Sequence, residues 1–178
     1  MMDDRALVET LRSGDPLAPG LLFDRFHGVV FGLCLRMMRH RHDAEDVVQE
    51  TFVRALGGIS GFDLDRPLRP WLLGIAANRC RTALGRRSRR PVLAESVEES
   101  VDHRPGLADP EDLAGELERA LGRLRPDYRL VFVLFHEQGI PYEEIALTID
   151  RPIGTVKTWL HRARAELADD LTRRGVQC

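Results

Sequence analysis

Apolar residues recur at three- and four-residue spacing along most of the chain. No segment between turn residues alternates with period two, so the pattern predicts helices and no strands. A short helix is expected over residues 4–12, closed by Ser13-Gly14-Asp15-Pro16. A longer one over 19–39 places Leu22, Phe26, Val29, Val30, Leu33 and Met37 at helical spacing. Asp43 suits the N-cap of a helix over 43–56, with acids in its first turn and Gly57-Gly58 at its end. Residues 59–70, with Gly61, Pro67 and Pro70, read as a loop, and another helix follows over 71–86.

Periodicity lapses over residues 91–110, which collect Pro, Ser, Gly, Asp and Glu. Beyond them Leu113, Leu117, Leu121 and Leu124 share one face, Pro126 breaks the pattern, and an apolar helix reaches about His136. The remainder reads as two helices, 142–149 and 152–171, joined by the turn Asp150-Arg151-Pro152. Asp tolerates the left-handed conformation and Pro suits a first helical turn. The fold expected is all-α: small helical domains over 1–90 and 113–178, joined by an acidic flexible linker over 91–112.

Charge sharpens this division. Of the 26 basic residues only Lys157 is a lysine, and 28 acids leave a net charge of −2. Residues 1–90 carry a net +4, residues 91–118 a net −8, and residues 119–178 a net +2. Two mildly basic blocks flank an acidic one, a distribution the overall charge conceals. Cys34, Cys80 and Cys178 show no C-x-x-C spacing, which argues against a disulfide framework and for a reducing, cytoplasmic setting. No apolar leader is visible at the N-terminus. The longest aliphatic and aromatic run, residues 130–135, falls far short of the roughly 20 residues a membrane span needs, so no membrane insertion is expected.

The C-terminal helix pair has helix-turn-helix proportions, in which the second helix enters the major groove. On that helix Ile153, Val156, Leu160, Ala163 and Leu167 fall on one side. Gly154, Thr158, His161, Arg162 and Ala165 fall on the other, with Thr155 and Lys157 at its margins. Hydroxyls, an imidazole and cations can donate to base edges and phosphates. An ordinary helical hairpin with a solvated basic face fits the same pattern. Trp159 borders the apolar stripe and reads as core. Arg164 lies near that stripe and is expected to pair with a carboxylate of its own domain.

Two faces of the first domain carry further information. On the helix over 43–56, Ala44, Val47, Val48, Thr51 and Ala55 make the buried side, while Asp46, Gln49, Glu50 and Val53 share the opposite one. An apolar Val53 among carboxylates looks like a docking surface for a basic partner, against the alternative of plain solvent exposure. On the helix over 71–86, Leu72, Ala76, Cys80 and Ala83 oppose Trp71, Gly74, Asn78, Arg81, Thr82 and Gly85. Arg86, Arg87, Arg89 and Arg90 follow. An aromatic, an amide and a basic stretch suit single-stranded nucleic acid, with bases stacked or pocketed and phosphates held by arginines. Packing of Trp71 inside the bundle is the competing reading.

The residues from Asp43-Ala44-Glu45-Asp46 to Thr51-Phe52, with Trp71-Leu72 and Ile75-Ala76-Ala77-Asn78-Arg79, resemble region 2 of bacterial sigma factors. Tyr142-Glu143-Glu144-Ile145-Ala146, followed by Gly154-Thr155-Val156-Lys157 and Arg162-Ala163-Arg164, resembles region 4. The order and the absence of a domain between them resemble the extracytoplasmic-function (ECF) group. The resemblance implies an alternative sigma factor that binds RNA polymerase core and drives promoter opening. It implies that Asp46, Gln49, Glu50 and Val53 face the β′ coiled coil. Trp71, Asn78, Arg81, Thr82 and Arg86 would meet the melted minus-10 strand. Thr155, Lys157, Thr158, His161 and Arg162 would read minus-35 DNA beside the β flap, and the acidic linker would thread toward the active-site channel. An anti-sigma factor is implied by family habit. Two departures stand out: Pro141 where Ser is frequent, and Trp159 where Arg is frequent.

The six histidines and three cysteines form no metal-binding spacing, and neither a phosphate-binding glycine loop nor a nucleophile motif is present, so no cofactor, metal or catalytic residue is expected. A stand-alone dimeric helix-turn-helix regulator is the runner-up, but it leaves the Asp46 face and the linker unexplained. A helical adaptor that binds only proteins leaves the recognition-helix face unexplained. The composition of residues 91–112 predicts that limited proteolysis cuts there first, yielding two helical fragments on a denaturing gel. Resistance of that segment while other sites are cleaved would contradict the tether.

Overall fold

The computed structural model describes residues 3–89 and 110–175, and the expected linker over 91–112 lies almost wholly outside them. The described residues are helical, in the order α1 (Asp4–Arg12), α2 (Ala18–Met38), α3 (Arg41–Gly58), α4 (Leu68–Arg89), α5 (Pro110–Arg123), α6 (Pro126–Phe132), α7 (Tyr142–Ile149) and α8 (Ile153–Arg173). Residues Ile59–Gly61 form one turn of 3₁₀ helix. α5 thus begins three residues before the expected domain boundary. The helix pattern fixed most ends to within a few residues, with one correction of cause. His40, not Asp43, stands at the N-cap of α3, and Asp43 lies in the first turn, where its charge favours the helix dipole.

α2, α3 and α4 pack together as a bundle, braced by α1. The Asp3 side chain accepts from the Ala6 amide to start α1. Arg12 at its end donates to the carbonyls of Ile59 and Phe62. α2 is long and apolar enough to cross a membrane by length and hydropathy alone. Its apolar character is used inside the bundle instead: Leu22, Val30, Leu33, Cys34 and Met37 are fully buried. Cys34 and Cys80 meet there with sulfurs 4.0 Å apart as free thiols. The contact with Cys80, then burial, raises the Cys34 pKa, so the thiol stays protonated.

In the second half α5, α6 and α7 each pack on α8. Leu121, Leu124, Tyr128, Ala163, Leu167 and Leu171 form a small core of its own. Glu116 and Asp170 hold Arg174 at 2.7 and 3.0 Å, fastening α5 to the end of α8. After α6 the helix widens into a π-type turn over Val133–Glu137, closed by the Gln138 amide on the Val133 carbonyl. Asp150 takes φ 53°, the left-handed conformation expected at that turn.

The two halves do not stand apart. Leu130, Leu134, Ile145 and Ile149 belong to the same buried cluster as Leu33, Met37, Leu72 and Ala76 of the first bundle. At this seam lies Arg129, only 6% exposed. Its guanidinium donates to the carbonyls of Leu121, Gly122 and Leu124 at the end of α5, and to Met37 at the end of α2. Burial, then repulsion from Arg39, pushes its pKa down to about 10, so it stays charged at neutral pH. The cation is neutralised by the negative ends of two helices rather than by a carboxylate. Arg39 reaches the same corner, donating to the Gly122 carbonyl at 3.4 Å, where a β-carbon on Gly122 would overlap it. Arg129→Met keeps the apolar stem and removes the donors. It is expected to lower unfolding stability by about 3 kcal/mol or more, measured by urea denaturation, because buried carbonyls lose their partners.

Candidate polymerase and promoter interfaces

α3 divides as its sequence predicts. Ala44, Val47, Val48, Thr51 and Ala55 are buried, while Asp46, Gln49, Glu50 and Val53 are exposed and line one shallow surface depression. Val53 is 70% exposed, which a helix inside a stable bundle gains nothing from. Glu50 is not a free carboxylate: Arg79 of α4 holds it at 2.8 Å. Asp46 is engaged by no cation among the described residues. The surface therefore presents one unpaired acid, one paired acid, an amide and an apolar centre.

α4 departs further from expectation. Asn78 and Arg86 are exposed, and the Thr82 hydroxyl donates back to the Asn78 carbonyl at 2.9 Å. Trp71 is half-buried and packed on Phe62, ring centroids 4.8 Å apart, so packing accounts for most of its ring. Gly74, expected on the open face, is buried against α7: a β-carbon there would stand 3.0 Å from the Thr148 carbonyl. Arg81 also faces the second half. It lies 3.5 Å from the Asp127 carboxylate and 3.5 Å from the Ile149 carbonyl. The helical wheel of α4 assigned one buried side, and the fold gives it two, because α7 covers a second.

On α8, Val156, Leu160, Ala163 and Leu167 are buried as expected, but Ile153 is 36% exposed. It occupies the first turn, beyond the reach of the core beneath the middle of the helix. Gly154, Thr158, His161, Arg162 and Ala165 form the exposed side. Thr155 is half-buried, Lys157 sits 5.9 Å above the Tyr142 ring, and the Thr158 hydroxyl donates to the Gly154 carbonyl. Arg162 donates to the Tyr128 hydroxyl at 3.1 Å, a contact that raises its pKa. Trp159 packs on both cores, as read from the sequence. Arg164 finds the His136 imidazole at 3.1 Å and the Phe135 ring rather than the carboxylate expected, because the nearby turn supplies aromatic partners. Burial, then the charge of Arg164, lowers the His136 pKa, so the imidazole accepts the bond in its neutral form.

Pro141 precedes α7 without a side-chain cap, as its replacement of a hydroxyl residue implied. Sequence reasoning missed Tyr128 and Arg129. The signal for Arg129 was present: a lone cation inside the apolar run that starts at Tyr128.

A helix with an exposed acidic face around Val53, an amide-bearing helix with a basic end, and a helix-turn-helix thus occur on one chain in that order. Comparison with known proteins gives the class. Residues 22–90 match the sigma-70 region 2 family and residues 114–167 match the sigma-70 region 4 family. Two such regions define an RNA polymerase sigma factor. The chain is 36% identical over 175 residues to the ECF RNA polymerase sigma-E factor of Haemophilus influenzae, covering 92% of each. It is 31% identical to the ECF sigma factor SigW of Bacillus subtilis, covering 92% of this chain and 94% of SigW. Among solved structures it is similar to CnrH in complex with the cytosolic domain of CnrY, with TM-score 0.71, 31% identity, and 96% and 97% of the two chains covered. It is also similar to the sigma factor RpoE of Bartonella quintana in complex with the anti-sigma factor NepR, with TM-score 0.70, 25% identity, and 86% and 96% covered. The chain belongs to the ECF family of RNA polymerase sigma factors. It is an alternative sigma factor that binds core polymerase, recognises minus-35 and minus-10 promoter elements and drives promoter opening. The stand-alone regulator is not favoured.

Proposed function

We propose that Asp46, Gln49, Glu50 and Val53 dock this sigma factor on the β′ coiled coil of core polymerase. The observation that carries this is the exposed Val53 at the centre of an acidic and amide surface. An apolar anchor ringed by polar groups suits a partner face that is basic at its rim. Asn78, Thr82 and Arg86, with Arg81 and the open edge of Trp71, are assigned to the melted minus-10 strand. Thr155, Lys157, Thr158, His161 and Arg162 are assigned to minus-35 DNA, with the β flap against the same domain. An anti-sigma partner is supported by the solved complexes of CnrH with the cytosolic domain of CnrY and of RpoE with the anti-sigma factor NepR. The site of action is the cytoplasm, where the polymerase works.

Asp46→Arg with Val53→Asp tests the docking face without touching the Glu50–Arg79 pair. Stability is expected to change by about 0.5 kcal/mol per surface site at most, while core binding in a pull-down falls sharply. Unchanged core binding with an intact melt would remove the assignment.

The two DNA faces separate by assay. Arg162→Ala is expected to weaken duplex minus-35 binding roughly tenfold or more in a gel shift, provided Arg162 leaves Tyr128 for a base edge. Asn78→Ala is expected to leave that duplex binding unchanged and to reduce permanganate reactivity of the opened minus-10 segment, since an extruded base loses an amide partner. Normal opening by Asn78→Ala would return α4 to a purely structural role.

A further inference from the structure

A buried tyrosine carries two arginines at the edge of α8. Tyr128 is 3% exposed and belongs to the small core of the second half. Its hydroxyl accepts from Arg162 Nη1 at 3.1 Å. Against its ring lies the guanidinium of Arg125, 5.1 Å from the centroid and within the range of a cation–π contact. Arg125 stands at the turn before α6 and is exposed, and its side chain pairs with no carboxylate among the described residues. Asp127, the acid nearest to it in the sequence, faces Arg81 at 3.5 Å instead. The two arginines differ in what they have left to give. Arg162 spends a donor on the hydroxyl. Arg125 is held by its face, and a guanidinium held that way keeps its five in-plane N–H donors for another partner.

We propose that Arg125, seated on Tyr128, grips a backbone phosphate of the duplex that α8 reads at minus-35. The contact rests on the assignment of α8 to minus-35 DNA, and it extends the DNA surface from α8 to the turn before α6. Tyr128 is fixed by the core around it, so the cation on its ring is positioned before DNA arrives and less side-chain freedom is lost on binding. A stacked cation with its donors free, beside a helix that presents hydroxyls, an imidazole and a guanidinium, has the chemistry of a phosphate contact. Such a contact carries no sequence information. It fixes the register of α8, so that Thr158, His161 and Arg162 meet the same base edges in every encounter. Arg125 thus adds affinity, and selection among promoters is left to α8.

The test uses holoenzyme reconstituted from core polymerase and the full chain. A pool of duplexes randomised at the minus-35 and minus-10 positions is enriched on the wild-type holoenzyme to supply the probe. Arg125→Gln is expected to weaken binding about threefold or more and to lower the salt slope by about one. The factor is expected to be the same on the selected duplex and on one with its minus-35 element scrambled. Phosphates of the selected duplex are then replaced singly by uncharged methylphosphonates. One replacement is expected to weaken the wild type and to leave Arg125→Gln unaffected. Tyr128→Phe keeps the ring and is expected to retain the wild-type sensitivity at that phosphate. Unchanged affinity and slope for Arg125→Gln overturn the contact. Weaker binding with every phosphate still felt overturns it too, and places Arg125 in the packing of the domain. In both cases the assignment of α8 stands. Enrichment of no minus-35 sequence removes the assignment of α8, and the contact with it.

Discussion

Two helix ends that would otherwise expose bare carbonyls to an apolar seam converge on Arg129, and the arrangement of the molecule depends on how that problem is solved. α2 and α5 both end at the seam, and each end carries partial negative charge. A carboxylate partner for Arg129 would have added a second charge to desolvate. Carbonyls supply the compensation instead, and they are already fixed by their helices. The position of α6 is therefore tied to the first bundle through Met37 and to α5 through Leu121, Gly122 and Leu124. Gly122 and the left-handed Arg39 follow from the same corner: the first gives the space, and the second turns the chain out of α2 without blocking it.

Around this joint the apolar core crosses between the halves. Leu130, Leu134, Ile145 and Ile149 are buried in one cluster with Leu33, Met37, Leu72 and Ala76 of the first bundle. Apolar burial holds the halves together, and Arg81 adds its contacts to the Asp127 carboxylate and the Ile149 carbonyl. The second half also has a smaller core of its own, formed by Leu121, Leu124, Tyr128, Leu167 and Leu171.

The helices were legible because their periodicity is local: the register of α1 and α7, the buried side of α3 and the apolar stripe of α8 follow from spacing alone. The α3 surface was legible for the same reason, since Val53 breaks a polar face in a way no core demands. Long-range pairing was not legible. Nothing near Gly74 announces that Thr148 will lie against it, and Arg81 reads as a free cation until Asp127 is brought beside it. Tyr128 as the holder of Arg162 depends on the packing of α6 on α8, which no pattern within either helix encodes. Arg164 shows the limit from the other side: the expectation of a partner was sound, but its identity came from the His136 turn.

The wide turn over Val133–Glu137 carries one residue more than an α-helical turn would use. Its last residue and the one after it owe their bearing to that surplus: Glu137 points toward Arg36 and Gln138 toward Arg69. Deleting a single residue there would restore ordinary helical winding and swing both side chains by about 100° around the axis. Were His136 the residue removed, no buried apolar side chain would be deleted, yet the acceptors would no longer face their arginines. Whether the two halves recognise each other is thus a matter of phase, set by a one-residue count inside a helix rather than by the chemistry of the groups that meet.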